Sequence, residues 1–418
     1  MLSCASRVAL RFSDLDFGQR GSRSATSNCS NTVVATEWEF VFVLPNLVLA
    51  TASNERHSGD WPMGISFGDE LITIVSSDNP HVAHLRSDKT IEQILTSFVD
   101  EYGKPYSPAI LLTHRSAPET VRINLAAIVA FRNAIALAFI LRARAAAERG
   151  YGGLDPTWSD TFDFHPAQIG GTGGMILHSP ALLSVVSSGA KLRLTRSPYI
   201  PLTDGRLHPD SYLFRSFEKA WIKRYCGKAE TEKFGDRLFR SLDVAYQACA
   251  VGTKCEGSLN EYGIQVALWV SAIEILAWPN KRHADLESVL LLLNRDSIDE
   301  RDRKLRYRIK IKNPKTRKPE IRRVSALQRA YVYLYRARNQ FLHGNPVREN
   351  SLLTLNRTER VGLPRLAAVV YRAALVAYLD PKYPKQIKNL EELRTRVEES
   401  FEDNTYGEAL AELFGYTR

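Results

Sequence analysis

After about Leu207 the chain becomes a succession of helical patterns, and no other feature limits its fold as strongly. Apolar residues recur at three- and four-residue spacing over 210–226, 230–251, 262–278, 285–293, 323–343, 364–379, 388–401 and 406–414. That spacing lays one apolar stripe along each helix. In the second segment Phe234, Leu238, Leu242, Ala245 and Cys249 share a stripe. Pro279, Gly344 and Pro381 act as stops. Stripes joined by short breaks bury themselves against one another, so residues 206–418 are expected to form an all-α bundle. No self-similarity of solenoid period runs through them.

The first 205 residues read differently. Residues 37–49 pattern as a strand, a Pro-Asn turn and a second strand, and 71–76 as a further short strand. Ile91, Ile94, Leu95 and Phe98 fall on one helical face. Pro118 opens a long helix that Gly150, Gly152 and Gly153 end. Residues 155–202 are punctuated by Pro and Gly and read as an irregular or β-rich connecting layer. The expected fold class is therefore α+β: a mixed α/β region of unassigned type over 1–205, then the helical bundle. The apolar run 123–141 has the length of a membrane span, but Arg132 and Asn133 sit at its middle. An Arg there costs about 2.5–3.5 kcal/mol on insertion, so a buried helix and no membrane are expected. Five cysteines, odd in number and without metal-type pairing, fit a reducing cytoplasm.

The formal net charge is +10. Residues 301–323 hold twelve Lys/Arg against Asp302 and Glu320, which accounts for the whole excess. This is one local basic element on an otherwise balanced chain, inserted within the helical region. Arg306, Arg308, Lys310 and Lys312 alternate with Tyr307, Ile309 and Ile311; Asn313-Pro314 then turns the chain past Lys315, Arg317 and Lys318. Two forms fit: a two-stranded ribbon with one cationic face, or a disordered basic loop. Either suits a phosphate backbone; a solvated surface without a ligand is the plain alternative.

The candidate chemistry lies in the helix that follows. Arg338-Asn339-Gln340-Phe341-Leu342-His343 ends at Gly344, Asn345 and Pro346. Histidine titrates nearest neutrality, and arginine presents a permanent forked cation to phosphate oxygens. The bare spacing proves little: with nine His among 418 residues, roughly two to three Arg–His pairs at this separation arise by chance. Context adds weight. Arg338 continues the stripe Val324, Leu327, Tyr331 and Leu334, where a charge is costly unless paired or used. Asn339 and His343 are four apart, so the amide is placed to orient the imidazole. Gly344 suits a left-handed cap that leaves His343 at a helix end. The alternative is that Arg338 pairs with a buried carboxylate, Glu274 being the candidate, and that His343 merely caps the helix.

The run from Tyr335 to Gly344 resembles the signature helix of the HEPN superfamily, particularly its Apea-like branch, in which an Arg, a following polar residue and a His form the motif. The helix Ala267–Leu276, with Ala-Ile-Glu-Ile-Leu at 272–276, also resembles the family's preceding core helix. The resemblance covers residues 207–379 and leaves the first 200 unplaced. It implies a metal-independent ribonuclease that needs no cofactor and dimerises to bring two motif helices together. Arg338 would stabilise the scissile phosphate, His343 would act as general acid or base, Asn339 fills the polar position, and Glu274 could orient Arg338. It also implies a prokaryotic defence or toxin effector with a possible regulatory or antitoxin partner. Two other classes stay open: a non-catalytic HEPN module for RNA, nucleotide or dimerisation, and a structural protein whose basic loop meets an acidic protein surface.

Other motifs are weaker. The glycine run 170–174 lacks the Lys-Ser/Thr of a phosphate loop and reads as a flexible turn. Asp163, His165 and His178 lack the spacing of metal ligands. Arg132-Asn133 repeats the start of the motif without its His.

Overall fold

Strand β4 (Ala109–His114) organises the first half because its side chains are buried on both faces. Ala109 and Leu111 point to one hydrophobic cluster, Ile110 and Leu112 to another, as the two-residue period of a strand requires. It pairs antiparallel with β1 (Trp38–Leu44) on one side and β3 (Ile72–Val75) on the other, and β3 pairs with β2 (Gly64–Phe67). The sheet order is therefore β1-β4-β3-β2. Helices α1 (Pro80–Leu85) and α2 (Lys89–Leu95) cover one face through Val82, Leu85, Ile91, Ile94 and Leu95. The other face packs on the long helices.

This computed structural model describes residues 37–49, 64–148, 159–164, 209–227, 232–251, 258–278, 285–294, 307–312, 318–345, 360–379 and 404–414, apart from a few single positions, with short strands between 167 and 201 and at 353–355. Leu47–Val48, expected after the Pro-Asn turn, pairs in parallel with Ile200–Pro201 rather than folding back on β1. Phe98 leaves the helical face expected for it and enters a short strand, Phe98–Val99. The helix opened by Pro118 is two: α3 (Glu119–Arg122) and α4 (Leu125–Glu148). Asn124 restarts the second, its side-chain oxygen accepting from the Ala126 N–H. The expected helix over 388–401 and the glycine run 170–174 lie outside the described residues.

The second half carries α5 (Ser211–Tyr225), α6 (Glu232–Ala250), α7 (Leu259–Ala277), α8 (Leu286–Leu293), α9 (Ala326–Leu342) and α10 (Leu363–Leu379), followed by a helical segment at 404–414. A mixed fold, mainly strands first and mainly helices after, matches the α+β expectation at that level, but the second half is not all-α: two antiparallel strand pairs, Tyr307–Lys312 with Pro319–Val324 and Leu353–Leu355 with Arg360–Gly362, lie within it.

The boundary expected at 205/206 does not divide the core. Phe67 of β2 meets Phe131 of α4 edge-on at 4.9 Å and Phe214 of α5 at 5.3 Å. Trp221 of α5 donates its indole N–H to the Ala127 carbonyl of α4 at 2.9 Å. One hydrophobic cluster runs from Leu44 to Phe414, and the chain from Thr36 to Arg418 forms one unit. The physical reason is α4, buried nearly all round, whose apolar surface the helices of the second half cover. It has the length and hydropathy of a membrane span, yet most of that surface is buried within the protein.

At the centre of this shared core Asp210 and Arg372 are fully buried. Arg372 Nε donates to Asp210 Oδ2 at 3.1 Å, and Asp210 Oδ1 caps α5 by accepting from the Leu213 N–H at 2.9 Å. The guanidinium also lies over the Tyr406 ring at 4.5 Å, which ties the helical segment at 404–414 to α10.

Candidate functional site

Helix α9 begins at a capping box. Ser325 accepts from the Gln328 N–H, and the Gln328 side chain accepts from the Ser325 N–H. Gln328 also donates to the Leu290 carbonyl at 2.7 Å, fixing α9 on α8. Leu327, Tyr331 and Leu334 are buried as the stripe predicts. The helix then ends in the left-handed turn expected at Gly344, whose φ is 67°.

Helices α7 and α9 run antiparallel. Gly263, near the start of α7, lies against Phe341 at the end of α9, so closely that a Cβ there would stand 2.3 Å from the ring. Further along α7, Glu274 meets Arg338, whose side chain leans back toward the start of its own helix. Arg338 Nη2 stands 3.6 Å from Glu274 Oε2, an ion pair beyond hydrogen-bond length. Burial raises the Glu274 carboxyl above its ordinary range, and the Arg338 charge only partly lowers it again. Arg338 Nη1 donates to Asn339 Oδ1 at 3.0 Å. Two buried polar atoms beside this pair, Arg338 Nε and Tyr331 Oη, have no hydrogen-bond partner among the described residues.

The structure thus brings Arg338, Asn339 and Glu274 together and leaves His343 apart. His343 is exposed at the C-cap, its backbone N–H bonded to the Asn339 carbonyl. Five residues of helix turn through about 140° beyond a full turn, which carries the two side chains to different faces. Among the described residues no bond joins the Asn339 amide to His343. The orienting role expected for Asn339 goes to Arg338 instead, because the adjacent guanidinium takes its oxygen.

The basic element is a ribbon. Strand β5 (Tyr307–Lys312) pairs antiparallel with β6 (Pro319–Val324). Ile309, Ile311 and Val324 are buried on one face. On the same face Arg322 pairs with Glu287 of α8. The opposite face presents Arg308, Lys310 and Arg323, all exposed, with Ile321 directly across from Lys310. The backbone of Lys312 ends β5 opposite Pro319, and Lys318 is exposed just before β6. Arg306, Lys315 and Arg317 lie outside the described residues.

Two further clusters bear on the reading. Arg132 donates to Asn133 Oδ1 as Arg338 does to Asn339, but it is sandwiched between the Tyr246 and Phe164 rings, at 4.1 and 4.8 Å, and lies 3.7 Å from Asp163. That arrangement is structural. His114 was not singled out by the sequence reading. Its Nδ1 lies 2.6 Å from Ser116 Oγ and also accepts the Ser116 N–H, while Nε2 faces Glu37 at 3.6 Å. The His-x-Ser spacing is its only sequence signal, and the backbone bond marks a local turn. Among the described residues no group of His, Cys, Asp or Glu is arranged to hold a metal ion.

Comparison with protein-family models, with curated proteins and with solved structures finds no match to this chain.

Proposed function

We propose that the chain is a metal-independent endoribonuclease of HEPN type that works as a homodimer. The observation that carries this reading is the end of α9. A guanidinium with a spare buried donor sits there, facing a carboxylate 3.6 Å away, beyond hydrogen-bond length, on the same helix as an exposed terminal histidine. Since Arg338 and His343 occupy different faces, one copy supplies half a site and a second copy the other half. Leu342, Leu259 and Tyr262, exposed where α7 begins and α9 ends, offer apolar surface for that contact.

In this reading a neutral His343 imidazole takes the proton of a ribose 2′-OH. The oxygen attacks the adjacent phosphorus while the 5′ oxygen leaves, collecting a proton from an imidazolium. The products are a 2′,3′-cyclic phosphate and a 5′-hydroxyl. Arg338 offsets the charge that grows on the phosphorane. The cationic face of β5–β6 holds the RNA backbone. A cytoplasmic defence or toxin effector restrained by a regulatory partner fits such an activity and rests on the resemblance alone.

The test is incubation of purified protein with RNA in EDTA. Cleavage leaving cyclic phosphate ends, reduced at least 100-fold by His343→Ala and by Arg338→Ala, supports the reading. An intact wild type that does not cut, or a His343→Ala variant that cuts equally, overturns it. A second reading has its own observation: Arg338 turns toward Glu274 and Asn339 and away from His343. A non-catalytic RNA-binding or dimerisation module would show salt-sensitive RNA binding without cleavage.

A further inference from the structure

The ribbon and the motif helix are in step. Tyr307 at the start of β5 lies under Arg329 of α9, ring centroid to guanidinium 4.5 Å. Three residues on, the Lys310 carbonyl accepts from Arg336 Nη2 at 2.6 Å. Three strand residues advance about 10 Å. Arg329 to Arg336 along a helix advances about 10.5 Å. Strand β5 therefore runs alongside α9 in the same direction and at the same rate. Its last residue, Lys312, lies beyond the Arg336 contact, so the strand heads toward the end of α9 that carries His343.

The face turned outward along this path has a definite chemistry. Same-face residues on a strand repeat at about 6.6 Å, close to the step between phosphates of an extended single strand. Arg308, Lys310 and Arg323 are exposed on it, and Arg322, on the reverse face, is spent on Glu287. Among these cations Ile321 is 71% exposed. An apolar side chain set in a cationic field suits a ligand offering both phosphate and an uncovered base or ribose. A duplex covers its base faces, and the major groove of an RNA duplex is too narrow for side chains to read.

We infer that the outer face of β5–β6 is a track for single-stranded RNA, with Arg308 and Lys310 on successive phosphates, Arg323, directly across from Arg308, on a neighbouring one, and Ile321 against a base, and that the track leads toward the His343 end of α9. This deepens the ribonuclease reading and rests on it for what happens at the end of the track.

The test uses the full chain carrying His343→Ala, so that binding is measured without cutting. Affinity for a fluorescent single-stranded oligoribonucleotide and for the same sequence as a duplex is titrated at several salt concentrations. The expected result is at least tenfold preference for the single strand. Replacing Arg308, Lys310 and Arg323 by Gln should lower the slope of log affinity against log salt by about two, since each phosphate contact contributes about 0.7. Ile321→Ser should weaken single-strand binding severalfold at unchanged slope. Because Ile321 is exposed, that change leaves the fold intact. Equal or tighter duplex binding, an unchanged slope in the triple variant, or an indifferent Ile321→Ser each overturns the track. A wild type that binds as described but never cuts removes the nuclease reading and leaves the track standing. A wild type that cuts while the triple variant binds and cuts equally removes the track alone.

Discussion

Glu274 is held at a cost. Its carboxyl titrates above the ordinary range because desolvation outweighs the attraction of Arg338. A carboxyl with a higher pKa folded than unfolded binds its proton more tightly in the folded chain. In the window above the unfolded value of about 4.3 the folded state then carries more protons, so this group's contribution to stability falls as pH rises through that window. Glu274→Gln should flatten that part of the stability curve and leave the protein at least as stable at pH 7, measured by urea unfolding between pH 4 and 8. A clear loss at pH 7 would show instead that the ion pair stabilises the fold. At this scale the sequence was informative for Arg338, since a charge continuing an apolar stripe needs a partner and an acid inside an apolar helix is one. It was uninformative for Asn339, because a side-chain amide chooses between neighbours by angle, which spacing does not encode.

The helices were legible to within a few residues because each stripe and stop has a local cause. Their ends shifted where a side chain intervened. The pattern starts α9 near Arg323, but Arg323 and Val324 finish β6 and the Ser325–Gln328 box starts the helix at Ala326. Asn124 likewise divides one expected helix into α3 and α4. The choice between ribbon and loop needed partners distant in sequence: Ile309 and Ile311 had to find the core and Arg322 had to find Glu287. The crossing of α7 and α9 was hidden altogether, since nothing near Gly263 announces Phe341. Gly263→Ala would improve helix propensity by about 1 kcal/mol, yet its methyl would strike the ring. Overpacking of this kind costs about 1–3 kcal/mol. The variant should therefore be destabilised, and Phe341→Leu in the same chain should restore it, as thermal unfolding of the two variants and their combination would show. Stability gained by Gly263→Ala alone would mean that the helices separate easily there.

For the whole molecule, a change of pattern in sequence is not a change of core. The mixed half and the helical half differ in period, and that contrast points to a boundary near 205. Packing obeys burial instead, and α4 has apolar surface on too many sides for its own half to cover. Residues 1–205 and 206–418 expressed separately should each fail to give cooperative unfolding by circular dichroism, with the first fragment aggregating. Two soluble, cooperatively folding fragments would restore the boundary.

The same helix shapes how the protein is made. Helix α4 is complete at Glu148, but part of its covering, α10, ends at Leu379. At ordinary synthesis rates those last, about 230, residues take roughly 10–50 s to emerge from the ribosome. Until then one part of a helix with the length and hydropathy of a membrane span stays uncovered, even after α5 and α6 have emerged. The order of synthesis therefore leaves the most apolar helix of the first half waiting for its last cover, so that its burial is completed only after α10 has been made.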